Sequence, residues 1–349
     1  MKKMHRREFV LGYNSEKEPV SMKASPRPEH LAIYGIDTRG KENIMMHLAQ
    51  EATGQSGGAT FIVETPHLAG ALYKILRENR KKRAVKWLNL EHSLGIKNQG
   101  QYLQEYEETI MDQYVFNYQS AIESGSFVII DMECLKNGAK AERTKRLLVK
   151  HLIQKLAKTA PNKHAGHDIY MEHIEGFEQE LKELILFGPS LNSGVRLVVE
   201  SPQSFKDVLP IVGACFKHVV LMPQFSPQDA PYYKLILSLE DERMLFNRAE
   251  GVALYGMRDE LGKKRIRGFN LKPISQEEVN RLIANGKRTK HGIYQKFAAE
   301  EHTNDYLINL RETAIADNDD WAKTSQMLAS LSTPTIPKHP EMKNEKQMD

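Results

Sequence analysis

Cysteine is nearly absent from this chain. Its two thiols, Cys134 and Cys215, lie far apart without C-x-x-C spacing, which excludes a disulfide scaffold and a thiolate zinc site. Their apolar neighbours, Met132 and Leu135 for one and Ala214 and Phe216 for the other, suit reduced core thiols in a cytosol. Long hydrophobic runs are also missing. No stretch reaches the roughly eighteen unbroken apolar residues of a membrane span, and the basic start Met1-Lys2-Lys3-Met4-His5-Arg6-Arg7 precedes too short an apolar run for a secretory signal. The expectation is a soluble, cytoplasmic protein. A dominant charge is lacking as well: 49 basic and 45 acidic side chains leave +4, which neither demands nor excludes nucleic acid. No internal repeat is visible.

What remains is a chain of 349 residues, 40% hydrophobic, enough for one large α/β domain or two modest ones. Short apolar runs recur at 30–35, 59–63, 84–90, 127–131, 168–172, 195–199, 218–222 and 251–255. Such β-branched runs, separated by helical spacing at Leu68 to Asn79 and Thr144 to Lys158, are what a parallel sheet covered on both faces requires. The order reads as βαβ units, not hairpins. The expected organisation is a lead-in over 1–29, a main α/β domain over 30–270 with a helical insertion at about 97–124, a helical C-terminal segment over 271–329 and a disordered tail over 330–349. Ser275 and Glu278 form a capping-box pattern at the start of the C-terminal segment.

The segment with most chemical content is Ala32-Ile33-Tyr34-Gly35-Ile36-Asp37-Thr38-Arg39-Gly40-Lys41-Glu42-Asn43. An apolar run, G-x-x-x-x-G-K and a helical start at Ile44 form the frame of a phosphate-binding loop. Backbone N–H groups surround a phosphate in such a loop, the lysine reaches the outer phosphates and the helix N-terminus adds positive potential. Gly35, Arg39, Gly40, Lys41, Glu42 and Asn43 are therefore the candidate nucleotide-binding residues. The hydroxyl that should follow the lysine to hold Mg²⁺ is absent, and Glu42 stands there. Two such negative charges about 4 Å apart repel by roughly 1 to 4 kcal/mol even at high effective dielectric. Glu42 is expected to pair with Lys41 or Arg39 and fill the pocket from within.

Taken in order, the strand ends resemble the RecA-like ATPase domain of the HerA/FtsK superfamily, of the conjugation coupling-protein and type IV secretion ATPase type. The resemblance rests on Phe9 to Tyr13 with Glu18-Pro19-Val20, on Pro28 to Gly35, on Ile62-Val63-Glu64-Thr65-Pro66-His67, on Phe187 to Val195 with Glu200 to Phe205, and on Ala214 to Leu221. It implies a P-loop fold with a mainly parallel sheet, ATP and Mg²⁺ as ligands, a conjugation or secretion apparatus as partner, DNA as a substrate, and a place at the inner face of the membrane through another subunit. It also exposes departures. The Asp-Glu pair of the Walker B strand is matched by Met171-Glu172, leaving Glu172 as the general base the resemblance implies. Pro189 stands where the family often has Arg, and Glu200 where it has the sensor glutamine, with Gln203 available through a register shift. Asp131, ending Phe127-Val128-Ile129-Ile130, is a second candidate for the metal-shell carboxylate.

Losing the metal hydroxyl and an arginine should lower the rate of phosphoryl transfer heavily, because that chemistry depends on positioning and charge neutralisation. The reading is thus a divergent, catalytically impaired ATPase-like subunit of a conjugative or type IV secretion system that binds a partner. The alternatives are an active ring-forming motor using Lys41, Asp131 and Glu172, and a DNA-binding module without nucleotide. The last rests on Arg77 to Arg83 and on Lys263, Lys264, Arg265 and Arg267, which equally suit solvated surfaces. His164, His167 and His173 straddle a loop and a strand without a thiolate, so no metal site is assigned.

Overall fold

The computed structural model describes residues 8–23, 25, 27–35, 38–65, 67–79, 83–89, 118–133, 139–159, 165–172, 178–205, 209–223, 225–237, 239, 242–246, 252–258, 264–271, 277–278 and 280–282. Most of the expected insertion, at 97–117, lies outside them, as do most of the expected helical C-terminal segment and the tail. The N-terminal strands are β1 (Phe9–Tyr13) and β2 (Pro19–Met22), followed by the loop-bearing β3 (Leu31–Tyr34) and α1 (Thr38–Gly54). Then come β4 (Gly58–Val63), α2 (Leu68–Asn79), β5 (Val85–Asn89), α3 (Tyr118–Glu123), β6 (Phe127–Asp131), α4 (Ala139–Lys158), β7 (His167–Glu172) and α5 (Glu178–Phe187). The chain continues through β8 (Val195–Val199), α6 (Leu209–Cys215), β9 (His218–Leu221), α7 (Ala230–Leu237), α8 (Arg243–Phe246), β10 (Ala253–Arg258) and β11 (Lys264–Leu271).

One eleven-stranded sheet runs β2-β1-β11-β10-β9-β3-β8-β7-β4-β6-β5. From β9 to β5 every pairing is parallel, as the continuous apolar runs require: β3, β4, β6 and β8 have no residue above the buried class. Alternate residues of each strand serve opposite faces. Leu31 and Ile33 pack with α1 and α2, whereas Ala32 and Tyr34 pack with α3 to α7. Right-handed crossovers produce this division, because the chain leaves β3 toward β4 and β5 and returns through β6, β7 and β8 to β9.

The expectation of βαβ units without hairpins holds only for the parallel part. β1 pairs antiparallel with β2, and β10 antiparallel with β9 and β11. Residues read as a lead-in therefore extend the sheet, with Gly12 opposite Leu271 in β11. Half-exposed strands carrying charges, such as Lys264-Arg265-Ile266-Arg267, lack the apolar continuity that marks buried strands, and this hid them in the sequence.

Arg83, at the end of a basic run, is also turned inward. Its guanidinium donates to the carbonyl oxygens of Thr53 (2.5 Å), in the last turn of α1, and of Gly57, just ahead of β4, and lies 4.3 Å from the centroid of the Phe127 ring.

Candidate functional site

In a doubly wound sheet, ligands bind beyond the carboxyl ends of the strands. β3, β8 and β7 end side by side, with β7 two strand spacings from β3, about 10 Å. The parallel register sets Tyr34 beside Val199, so the residues that follow, Gly35 and Glu200, are neighbours as well. The N–H of Gly35 donates to the carbonyl of Glu200 at 3.0 Å. Gly35 has φ +78°, and a β-carbon there would lie 2.6 Å from Cβ of Phe225, so only glycine fits this turn.

The loop helix α1 begins at Thr38, which puts Gly40 and Lys41 inside its opening turns instead of ahead of them. Gly40, Glu42 and Asn43 are half-buried there, while the side chain of Arg39 lies outside the described residues. Lys41 is 1% exposed. Its Nζ lies 2.6 Å from Oε1 of Glu200, a side chain that is itself 54% exposed. A carboxylate that the sequence did not expect on Lys41, that of Glu200, reaches it, because strand adjacency brings residue 200 to the loop across a large sequence separation.

Glu172 ends β7 with no exposed surface. Its Oε1 accepts the N–H groups of Glu64 (2.7 Å) and Thr65 (2.5 Å), and its Oε2 accepts the Thr65 hydroxyl at 2.9 Å. Both oxygens thus hold the turn between β4 and α2. Glu64 in that turn also pairs with Lys145 of α4 at 2.7 Å. Asp131 is 2% exposed and ends β6, four strand spacings from β3, about 19 Å, where it accepts the N–H of Glu133 at 3.1 Å. The structure brings Lys41 and Glu200 into contact and does not bring Asp131 to them.

Gln203 opens onto solvent in the short helical turn Pro202–Phe205 and donates from Nε2 to Oδ1 of Asp229 at 2.7 Å. Asp229 is 2% exposed and was not singled out in the sequence, where only Ser226-Pro227 ahead of a helix hinted at a buried turn. The nearby Tyr34 and Tyr233 rings lie 5.8 Å apart. Burial raises the pKa of both phenols, and Asp229 adds to the effect on Tyr233. His167 is buried with Nε2 at 2.7 Å from the Thr60 hydroxyl, while His164 and His173 lie outside the described residues. Among the described residues no cluster of metal ligands is present.

The basic strand is elsewhere. Arg265 and Arg267 are exposed on one face of β11; Lys263 and the side chain of Lys264 lie outside the described residues. Arg265 pairs with Met257, which pairs with His218 at the start of β9, so Arg265 lies at the end of the strands opposite Lys41, and Arg267 lies level with Val220 in the middle of β9. A small cleft lined by Lys23, Arg27, Asp168 and Arg196 lies at that same end of the parallel strands.

The residues at the loop do not fit a magnesium nucleotide as they stand. The lysine is engaged by a carboxylate, a second carboxylate stands in place of the metal hydroxyl, and both oxygens of Glu172 are occupied by the protein. Among the described residues no helix is long and apolar enough to cross a membrane.

No protein-family model matches the chain, and no curated protein matches it. Solved structures do. The plasmid coupling protein TrwB, in complex with ADP and Mg²⁺, is 11% identical, with a TM-score of 0.50 over 78% of this chain and 97% of that one. VirB4 of Thermoanaerobacter pseudethanolicus is 11% identical, with a TM-score of 0.49 over 77% of this chain and 97% of that one. The genome packaging NTPase B204 from Sulfolobus turreted icosahedral virus 2, in complex with AMPPCP, is 11% identical, with a TM-score of 0.43 over 71% of this chain and 99% of that one. The likeness to TrwB is one of fold: this chain shares the α/β architecture of that protein, a mainly parallel sheet flanked by helices.

Proposed function

We propose that this chain is a catalytically impaired ATPase-like subunit of a conjugative or type IV secretion DNA-transfer apparatus, which works by binding a partner, such as an active ATPase of the same fold. The observation that carries this reading is Glu172. A general base must present a lone pair to water, and this carboxylate is wholly buried with the N–H groups of Glu64 and Thr65 and the Thr65 hydroxyl on its two oxygens. Glu42 in place of the metal hydroxyl points the same way. Mg²⁺-dependent ATP turnover, measured on wild type and on Lys41→Ala, tests the reading. The expected result is turnover at background in both. Clear turnover abolished by Lys41→Ala would reject it in favour of an active ring-forming motor.

A second reading draws support from the paired exposure of Arg265 and Arg267 on one face of β11. It is a DNA-backbone contact that needs no nucleotide, with ATP and Mg²⁺ playing no part. Neutralising both arginines is then expected to weaken DNA binding uniformly across sequences and to lower its salt dependence. Binding indifferent to both changes would remove this reading.

A further inference from the structure

We infer that Glu200 acts as a built-in substitute for a phosphate, closing the loop of this fold to polyphosphates until the residue is displaced. The inference rests on the reading of the chain as a phosphate-loop fold, and concerns how its site is occupied.

Two independent contacts tie Glu200 to the two ends of the loop. Its carbonyl accepts the N–H of Gly35, one of the backbone donors such a loop would offer a phosphate. Its carboxylate oxygen lies 2.6 Å from Nζ of Lys41, the cation that would reach the outer phosphates. Lys41 is 1% exposed, so its charge is directed inward and needs an anion. The Glu200 side chain is more than half exposed, so the same anion can leave for water by side-chain rotation, without unfolding anything. The asymmetry gives the pair the character of a removable cap. An incoming polyphosphate must break this pair and then share the site with a displaced carboxylate, and both effects oppose binding. The chemical class that competes is therefore an anion of higher charge than one carboxylate, such as a nucleoside triphosphate.

Equilibrium binding of a fluorescent ATP analogue to the full chain tests this, with wild type, Glu200→Gln, Glu200→Ser, Glu42→Ser and Glu200→Gln combined with Lys41→Ala. Glu200→Gln and Glu200→Ser are expected to bind at least about fivefold more tightly than wild type, the low end of what removing a nearby like charge should give. Glu42→Ser alone is expected to change affinity less than either, and Lys41→Ala to cancel the gain in the Glu200→Gln background. Wild type binding as tightly as the Glu200 variants would overturn the inference, and so would a gain produced by Glu42→Ser alone. Two substitutions of different shape at an exposed side chain keep a folding failure of one from deciding the outcome. Turnover in the same samples bears separately on whether hydrolysis is impaired: a wild type that hydrolyses ATP sinks that reading, whereas variants that gain no affinity sink only this one.

Discussion

Replacing Glu172 is the sharpest perturbation the structure offers, because a buried fastener and a catalytic base respond to it differently. Glu172→Ala leaves the N–H groups of Glu64 and Thr65 and the Thr65 hydroxyl without their acceptor, at a position with no solvent access. Each stranded buried group costs about 1 to 3 kcal/mol, and partial relaxation of the turn brings the total to about 3 to 5 kcal/mol. For a domain of this size 1 kcal/mol corresponds to about 2 to 4 °C, so the melting midpoint should fall by about 10 °C. Glu172→Gln keeps one carbonyl acceptor for the two N–H groups and turns the other end into a donor facing the Thr65 hydroxyl. That hydroxyl can reorient, so a loss of about 1 to 2 kcal/mol is expected. Differential scanning calorimetry of the three proteins, with Thr65→Val added to close a double-mutant cycle, reads these values directly. A catalytic base exposed to substrate would show the reverse pattern, with little change in midpoint. Glu172→Ala melting within about 2 °C of wild type, or no coupling between Glu172 and Thr65, would refute the reasoning.

Three further outcomes follow from other parts of the molecule. Gly35→Ala forces a side chain into a left-handed backbone and against Phe225, so chemical denaturation should show a loss of about 2 to 4 kcal/mol. Burial would raise the pKa of the Glu29 carboxyl, but hydrogen bonds from His218 (2.6 Å) and Lys217 (2.7 Å) outweigh it and hold the group down at about 2 against an ordinary 4.5. A depressed carboxylate contributes its stability above the unfolded value, so the contribution should be complete above pH 4.5 and fade as pH falls toward 2; a denaturation series in which Glu29→Gln fails to flatten that decline would contradict the assignment. Arg83→Ala removes two donors from the end of α1 and a cation from the Phe127 ring, and urea unfolding should register about 1 to 2 kcal/mol, more than an exposed charge would give.

The parallel core was legible because strands buried on both faces are written as largely apolar runs, and β3, β4, β6, β7, β8 and β9 each carry one of at least three residues, or two in β8. The strands β1, β2 and β11 were not, because one side of each pairing faces solvent and admits charge. The frame around Gly35 and Lys41 could be read from spacing alone. Its occupant could not, since Glu200 is brought beside Gly35 by the pairing of β3 with β8, an order that local pattern does not encode. Asp131 shows the same limit. By sequence it ends as good an acidic strand as Glu172, and only the position of β6 beyond β4 takes it away from the loop. The grip of Glu172 on Thr65 joins residues 107 apart and uses backbone donors, which no side-chain motif records.

The hairpin of β1 and β2 has a consequence for how the protein is handled. With β10 on one flank, β11 meets β1 on the other at its last residues, Asn270 and Leu271, and Gly12 meets Asn270 so closely that a methyl group there would strike the Asn270 carbonyl oxygen. A shortened version beginning at the loop-bearing strand would keep the entire parallel region and still strip β11 of its cover. The backbone of Asn270 and Leu271 would then lose its partner and lengthen the open edge of β11, and the trimmed protein should clump more readily than the full one.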